Sequence, residues 1–192
     1  MRRVIINISL LLLLSVTLFT QAVAQQKDAA QEVPNETGFR LKGLDGKFYD
    51  TSEMRGEVLV VSFGATWCVP CTWELVAIEE LKEEYAGKPV RFLWVNIEDT
   101  KRTTNNVLRY YVKDRRLTIP VLRDPGGVAL SQYEKTGSRI PVMVFFNREG
   151  VLSAPVHKGM SQDIALYKQM VRERVNALLP QSPKAEPAAA TR

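Results

Sequence analysis

The chain has 192 residues, 45% hydrophobic and 24% charged, which suits one domain with room for a substantial core. Its formal charge of +5 falls to +3 without Arg2 and Arg3, a mild excess that gives no reason to expect a nucleic-acid partner. Two cysteines and one histidine leave a zinc site short of strong ligands.

Arg2 and Arg3 form a basic start, Val4 to Phe19 an apolar run, and Ala22-Val23-Ala24 a small-residue cleavage site. The run carries Asn7 and Ser9 and falls short of the ~20 apolar residues of a spanning helix. A signal peptide over 1–24, cleaved after Ala24, is expected, with retention as a membrane anchor facing the periplasm as the alternative. No cysteine lies near the cleavage site to carry a lipid. Export places the protein in the periplasm, an oxidising compartment where a thiol pair stays oxidised unless a donor reduces it. Residues 25–38 read as a polar lead-in.

The folded domain is expected over 39–179. Phe39-Arg40-Leu41 and Phe48-Tyr49 flank Gly43-Leu44-Asp45-Gly46, a hairpin with a glycine-bearing turn. Val58 to Phe63 is continuously apolar apart from Ser62 and suits a central strand buried on both faces. Then comes Trp67-Cys68-Val69-Pro70-Cys71, holding both cysteines of the chain. A helical pattern starts near Thr72, with Leu75, Ile78, Leu81 and Tyr85 inward and Glu79, Glu80, Lys82, Glu83 and Glu84 toward water; Gly87 and Pro89 end it.

A thiol pair between a strand and a helix is suited to redox chemistry. Unpaired N–H groups and the positive end of the helix dipole favour a thiolate at Cys68, the species that attacks a disulfide. Cys71, one turn on, can resolve the mixed disulfide. As a staple the pair would do less: chain entropy gives roughly 2 kcal/mol for so short a ring, against about 3 for a fifteen-residue loop.

Val90 to Ile97 reads as the next strand, and Thr103 to Arg116 as a basic amphipathic helix with Val107, Leu108 and Tyr111 inward. The basic residues of this region, Lys101, Arg102, Arg109, Lys113, Arg115 and Arg116, suit a solvated helix face. Ile119 to Leu122 is extended, Asp124-Pro125-Gly126-Gly127 a turn, and Val128 to Tyr133 a short helix. Ile140 to Asn147 and Val151 to Val156 straddle Arg148-Glu149-Gly150 as a hairpin. Ser161 is expected to cap a last helix whose Ile164, Tyr167, Val171 and Leu178 share a face. His157 reads as a surface or packing residue. Residues 180–192, rich in Pro and Ala, read as a disordered tail. Strands alternating with helices, then a hairpin and a helix, argue an α/β fold with a mixed sheet covered on both faces.

These residues together resemble the thioredoxin fold, in its exported TlpA/ResA-like branch. The carriers are Phe63-Gly64-Ala65-Thr66-Trp67-Cys68-Val69-Pro70-Cys71, Glu74, Asp124-Pro125, Tyr133, Ile140-Pro141, and the strand and turn from Val142 to Gly150. The resemblance implies an N-terminal hairpin extension and a helix-bearing insertion between Thr100 and Gly137. It further implies a cis bond before Pro141, beside the cysteines, with the backbone of Ile140 offered to an extended substrate peptide. Trp67 and Pro70 belong to the same substrate surface.

Two departures stand out. Many thioredoxins have a buried acid at the position of Ser62, so proton handling is expected to pass to Glu74, which matches a glutamate of this branch; an exposed helix glutamate is the alternative. The family often has Trp where Gly64 stands and a kinking proline where Val76 stands. The activity implied is a periplasmic thiol-disulfide oxidoreductase, a reductase of protein disulfides. It would take electrons from a membrane thiol carrier and need no cofactor beyond the redox-active Cys68–Cys71 pair. A thiol oxidase of the same fold and a copper(I) carrier on the two sulfurs are the alternatives. A monomer is expected.

Overall fold

A computed structural model describes residues 38–134 and 139–180. The expected signal peptide, almost all of the lead-in and the expected tail beyond Pro180 lie outside the described residues.

Seven strands form one mixed sheet in the order β2-β1-β5-β4-β3-β6-β7. They are β1 (Arg40–Gly43), β2 (Phe48–Asp50), β3 (Val58–Gly64), β4 (Val90–Asn96), β5 (Val121–Arg123), β6 (Val142–Phe146) and β7 (Leu152–Lys158). Helices α1 (Val69–Glu84), α2 (Asn105–Asp114) and α3 (Ile164–Leu178) complete the unit. β3 lies inside the sheet, parallel to β4 and antiparallel to β6, and all seven of its residues are buried. Parallel neighbours need a crossover, which α1 supplies between β3 and β4 and α2 between β4 and β5.

The two-residue period of a strand sorts the core into two layers. Val58 and Val60, with Phe92, Trp94, Met143 and Phe145, join Leu75, Ile78 and Leu81 of α1, Leu108 of α2, and Tyr167, Val171 and Val175 of α3. Leu59, Val61 and Phe63 point the other way, toward Phe39, Leu130, Tyr133 and Phe146. Two short 3-10 helices, Thr51–Met54 and Leu130–Gln132, contribute to that second layer through Met54 and Leu130. Ser62 falls in phase with Val58 and Val60, so it faces α1, and this places the site.

Several local expectations are corrected. The first helix starts at Val69, not near Thr72, because the Cys68 side chain caps it and Pro70, which lacks an N–H, fits the first turn. In α2 the inward stripe runs through Leu108, Tyr111 and Val112, while Val107 is 51% exposed. Asp163, not Ser161, caps α3: its carboxylate accepts the Leu166 N–H at 3.0 Å, and Ser161 Oγ accepts the Asp163 N–H. A charged acceptor directly ahead of the first turn also meets the helix dipole. Ile164, at the start of that helix, is exposed, and Val175 takes a place on the buried stripe. The short helix over Val128–Tyr133 contracts to a single 3-10 turn.

Candidate functional site

Cys68 and Cys71 form a disulfide with their Cα atoms 5.2 Å apart. Cys68 is the N-cap of α1, in extended conformation, and its Sγ accepts the Cys71 backbone N–H at 3.2 Å. That sulfur therefore occupies the acceptor position a capping oxygen would take, where helix N–H groups and dipole favour negative charge. Cys68 retains 5% exposure and Cys71 none.

The peptide bond between Ile140 and Pro141 is cis. The carbonyl oxygen of Ile140 lies 3.8 Å from Cys68 Sγ, and its side chain packs on Ala65, Cys68 and Cys71. The sheet ladder of β6 begins only at Val142, which pairs with Phe63 and Lys158, so Ile140 lies before the ladder, beside the sulfurs. Pro141 is buried and its carbonyl accepts from Gly159 N–H at 2.7 Å. On the open side Trp67 is 70% exposed, with Val69 and Pro70 also exposed. Backbone and exposed side chains thus border the more accessible sulfur. Among the described residues, no three or more His, Cys, Asp and Glu side chains gather as a possible metal site.

Glu74 is not the exposed glutamate of the alternative reading: it is fully buried. Its carboxylate accepts from Ser62 Oγ on β3 and, at 2.5 Å, from the Tyr167 hydroxyl on α3. Burial pushes the carboxyl up to about 7, against the pull of the Ser62 and Tyr167 hydrogen bonds. The Tyr167 hydroxyl is held well above its ordinary range by burial and then by the Glu74 charge. Ser62 cannot titrate, yet it donates to the group that can. The structure thus brings Cys68, Cys71, Ile140 and Pro141 together on one side, and joins Glu74 to Ser62 and Tyr167 on the inner side.

Glu98, just beyond β4, was not singled out by the sequence. Its carboxylate accepts from the Thr66 backbone N–H (2.7 Å), Thr66 Oγ1 (3.0 Å), Asn96 Nδ2 (2.7 Å) and Thr103 Oγ1 (2.7 Å), fixing the residue two before Cys68. Burial opposes its charge, but these hydrogen bonds outweigh it and hold the carboxyl below its usual range. No short motif announces this role, since two of the four donors belong to Thr66, 32 residues earlier in the chain. Asp124, in the stretch carrying the resemblance, is buried and accepts the Ala129 and Leu130 N–H groups, both at 3.0 Å. It shapes the loop after β5. His157 sits on β7 opposite Met143 with its ring 5.6 Å from that of Tyr167. Burial, then the Arg174 charge, lowers its proton affinity, which fits a packing role.

The redoxin family profile matches residues 26–167. The thiol-disulfide oxidoreductase ResA of Bacillus subtilis (strain 168) is 25% identical over 182 residues, 93% of this chain and 95% of the relative. The thioredoxin-like protein YneN of the same organism is 32% identical over 108 residues, 56% of this chain and 62% of its own length. The crystal structure of the exposed lipoprotein thioredoxin Etrx1 from Streptococcus pneumoniae is similar at a TM-score of 0.60 and 28% identity, covering 73% of this chain and 99% of that one.

Proposed function

This chain belongs to the redoxin family, and from that membership we propose that it is a thiol-disulfide oxidoreductase of the TlpA/ResA-like branch, acting as a reductase of protein disulfides. The observation that carries the reading is the Cys68 sulfur, which caps α1, keeps the only opening of the pair and faces the Ile140 carbonyl.

Starting from the dithiol, the Cys68 thiolate attacks one sulfur of a substrate disulfide. A Cys68–substrate bond forms and the other substrate sulfur leaves as a thiolate. Cys71 then attacks Cys68, closing the internal disulfide and releasing the second substrate sulfur. Two electrons pass to the substrate and the pair ends oxidised. An external thiol carrier in the membrane must restore it. Trp67, Pro70 and the backbone at Ile140–Pro141 hold the substrate polypeptide, and Glu74 exchanges the proton that Cys71 gives up.

The basic, apolar and small-residue pattern of 1–24 supports export and a periplasmic site of action. Direction rests on potential, where about 30 mV is a tenfold change in the equilibrium of a two-electron couple. The test is reduction of insulin disulfides by dithiothreitol with and without the protein, together with equilibration of the Cys68–Cys71 pair against glutathione. Acceleration lost in Cys68→Ser, and a pair more reducing than glutathione, are the expected results. A pair that stays oxidised in a large excess of reduced glutathione fits a reductase. A pair readily reduced by it makes the protein an oxidase, and no acceleration at all overturns the reading.

A further inference from the structure

Gly64 ends β3 directly against the first turn of α1. A Cβ built on it would stand 2.9 Å from the indole Nε1 of Trp94, 3.1 Å from Cys71 Sγ and 3.2 Å from Cys71 Cβ. Nitrogen and sulfur thus flank one point, separated by no more than the sum of the first two lengths. The missing side chain at position 64 leaves room that the indole occupies from the neighbouring strand β4. Trp94 is fully buried, and its N–H has no hydrogen-bond partner among the described residues.

That orphaned donor calls for an explanation. An indole N–H can only donate, and buried ones nearly always find an acceptor. Tryptophan is also held in place: its ring stacks on Tyr111 at 5.7 Å, and the Tyr111 hydroxyl pairs with Thr72 Oγ1 of α1 at 3.0 Å. A sulfur in a disulfide is a weak acceptor, whereas a thiolate draws a short, charge-assisted bond. The donor therefore lies within about 6 Å of an atom whose accepting power changes with its redox state.

We propose that the Trp94 indole N–H donates a hydrogen bond to Cys71 Sγ once the disulfide opens, raising the share of Cys71 present as thiolate for the resolving step. The inference rests on the oxidoreductase reading above. In that step the Cys71 thiolate pair attacks the Cys68 sulfur and the Cys68–Cys71 bond forms. The Cys68–substrate bond breaks and the substrate sulfur departs with the electron pair. The ionisable groups around this position are Cys68 and Glu74 from α1, Tyr167 bound to Glu74 from α3, and Tyr111 behind the indole from α2. A charged Glu74 disfavours the thiolate, and the indole donor opposes that effect.

The test is twofold. In the wild-type chain, the indole proton resonance of Trp94, assigned by its loss in Trp94→Phe, should move downfield on reduction of the pair and follow the ionisation of Cys71. In a Cys68→Ser background, Trp94→Phe keeps an aromatic ring but removes the donor. Thiolate absorbance against pH should then show about tenfold less Cys71 thiolate at pH values well below its midpoint, a shift of one unit. An indole resonance indifferent to reduction overturns the proposal, as does an unchanged titration in Trp94→Phe. Should that variant not fold, the wild-type resonance, assigned through its backbone, decides alone. Neither readout involves a substrate, so failure of the oxidoreductase reading shows separately, as a wild-type protein that does not accelerate insulin reduction.

Discussion

Cys68 and Cys71 are bonded to each other, yet they live in different surroundings. Around Cys68 stand an exposed Trp67, exposed Val69 and Pro70, a helix start and the Ile140 carbonyl. Around Cys71 there is no exposure: Gly64 lies close against it, Ala65 and Ile140 pack on it, and one turn further along α1 the buried Glu74 binds Ser62 and Tyr167. In the mechanism proposed above, the outer sulfur meets the substrate and the inner one resolves the mixed disulfide. A small difference in burial between two cysteines one turn apart would then separate the attacking step from the resolving step.

The largest expected effect breaks that division outright. Cys71→Ser leaves the outer sulfur able to attack and nothing to displace the substrate. With pre-reduced protein and no small thiol present, release of reduced insulin should be lost, because no thiol remains to attack the mixed disulfide. Mixed disulfides should accumulate on Cys68 and appear in a non-reducing mass spectrum. If Cys68→Ser instead trapped substrate on Cys71, the assignment of outer and inner roles would be reversed.

The next effect belongs to the inner side alone. Glu74 has its carboxyl raised from 4.5 to about 7 in the folded protein. Between those values the folded state binds the proton that the unfolded state releases, so stability falls as pH rises through this window. Below it no such loss is present, and above it the full loss of about 3 kcal/mol applies. Glu74→Gln carries no titrating proton. Its stability relative to the wild type should therefore be higher at pH 8 than at pH 4 by that amount, read from urea unfolding at both values. A constant difference between the two proteins across this range would show that Glu74 does not hold its proton as described.

How much of this was legible in the chain depends on the range of the interaction. The strand over Val58–Phe63, the cysteine pair and the Ile140–Pro141 junction are written in contiguous residues, and the sheet assembles as their pattern requires. Glu74 could be marked by its spacing from Cys71. Its burial follows from Ser62 on β3 and Tyr167 on α3, 93 residues away, which no local pattern contains. Glu98 is harder still, because Thr66, 32 residues away, reaches it only when the loops after β3 and β4 come together. Amphipathic stripes were readable to within one position: Val107 lies one residue off the inward line of Leu108, Tyr111 and Val112, and Ile164, in phase with Tyr167, is the first residue of α3 and stays exposed.

The smallest effect sharpens the comparison from the outer side. Trp67 is 70% exposed, so replacing it removes little buried surface, and Trp67→Ala should change stability by no more than about 0.5 kcal/mol. A large aromatic held in water next to a reactive sulfur is, however, well suited to bind a partner chain, since such side chains dominate contact energetics where they become covered. The Michaelis constant for a protein disulfide should therefore rise several-fold, while exchange with a small aromatic disulfide, which covers little of the indole, stays within about twofold. This split distinguishes a contact residue from one that tunes the sulfur, because tuning would slow both substrates alike. Equal losses on both would move Trp67 into the chemistry of Cys68, and a stability loss above about 1 kcal/mol would make it a packing residue instead.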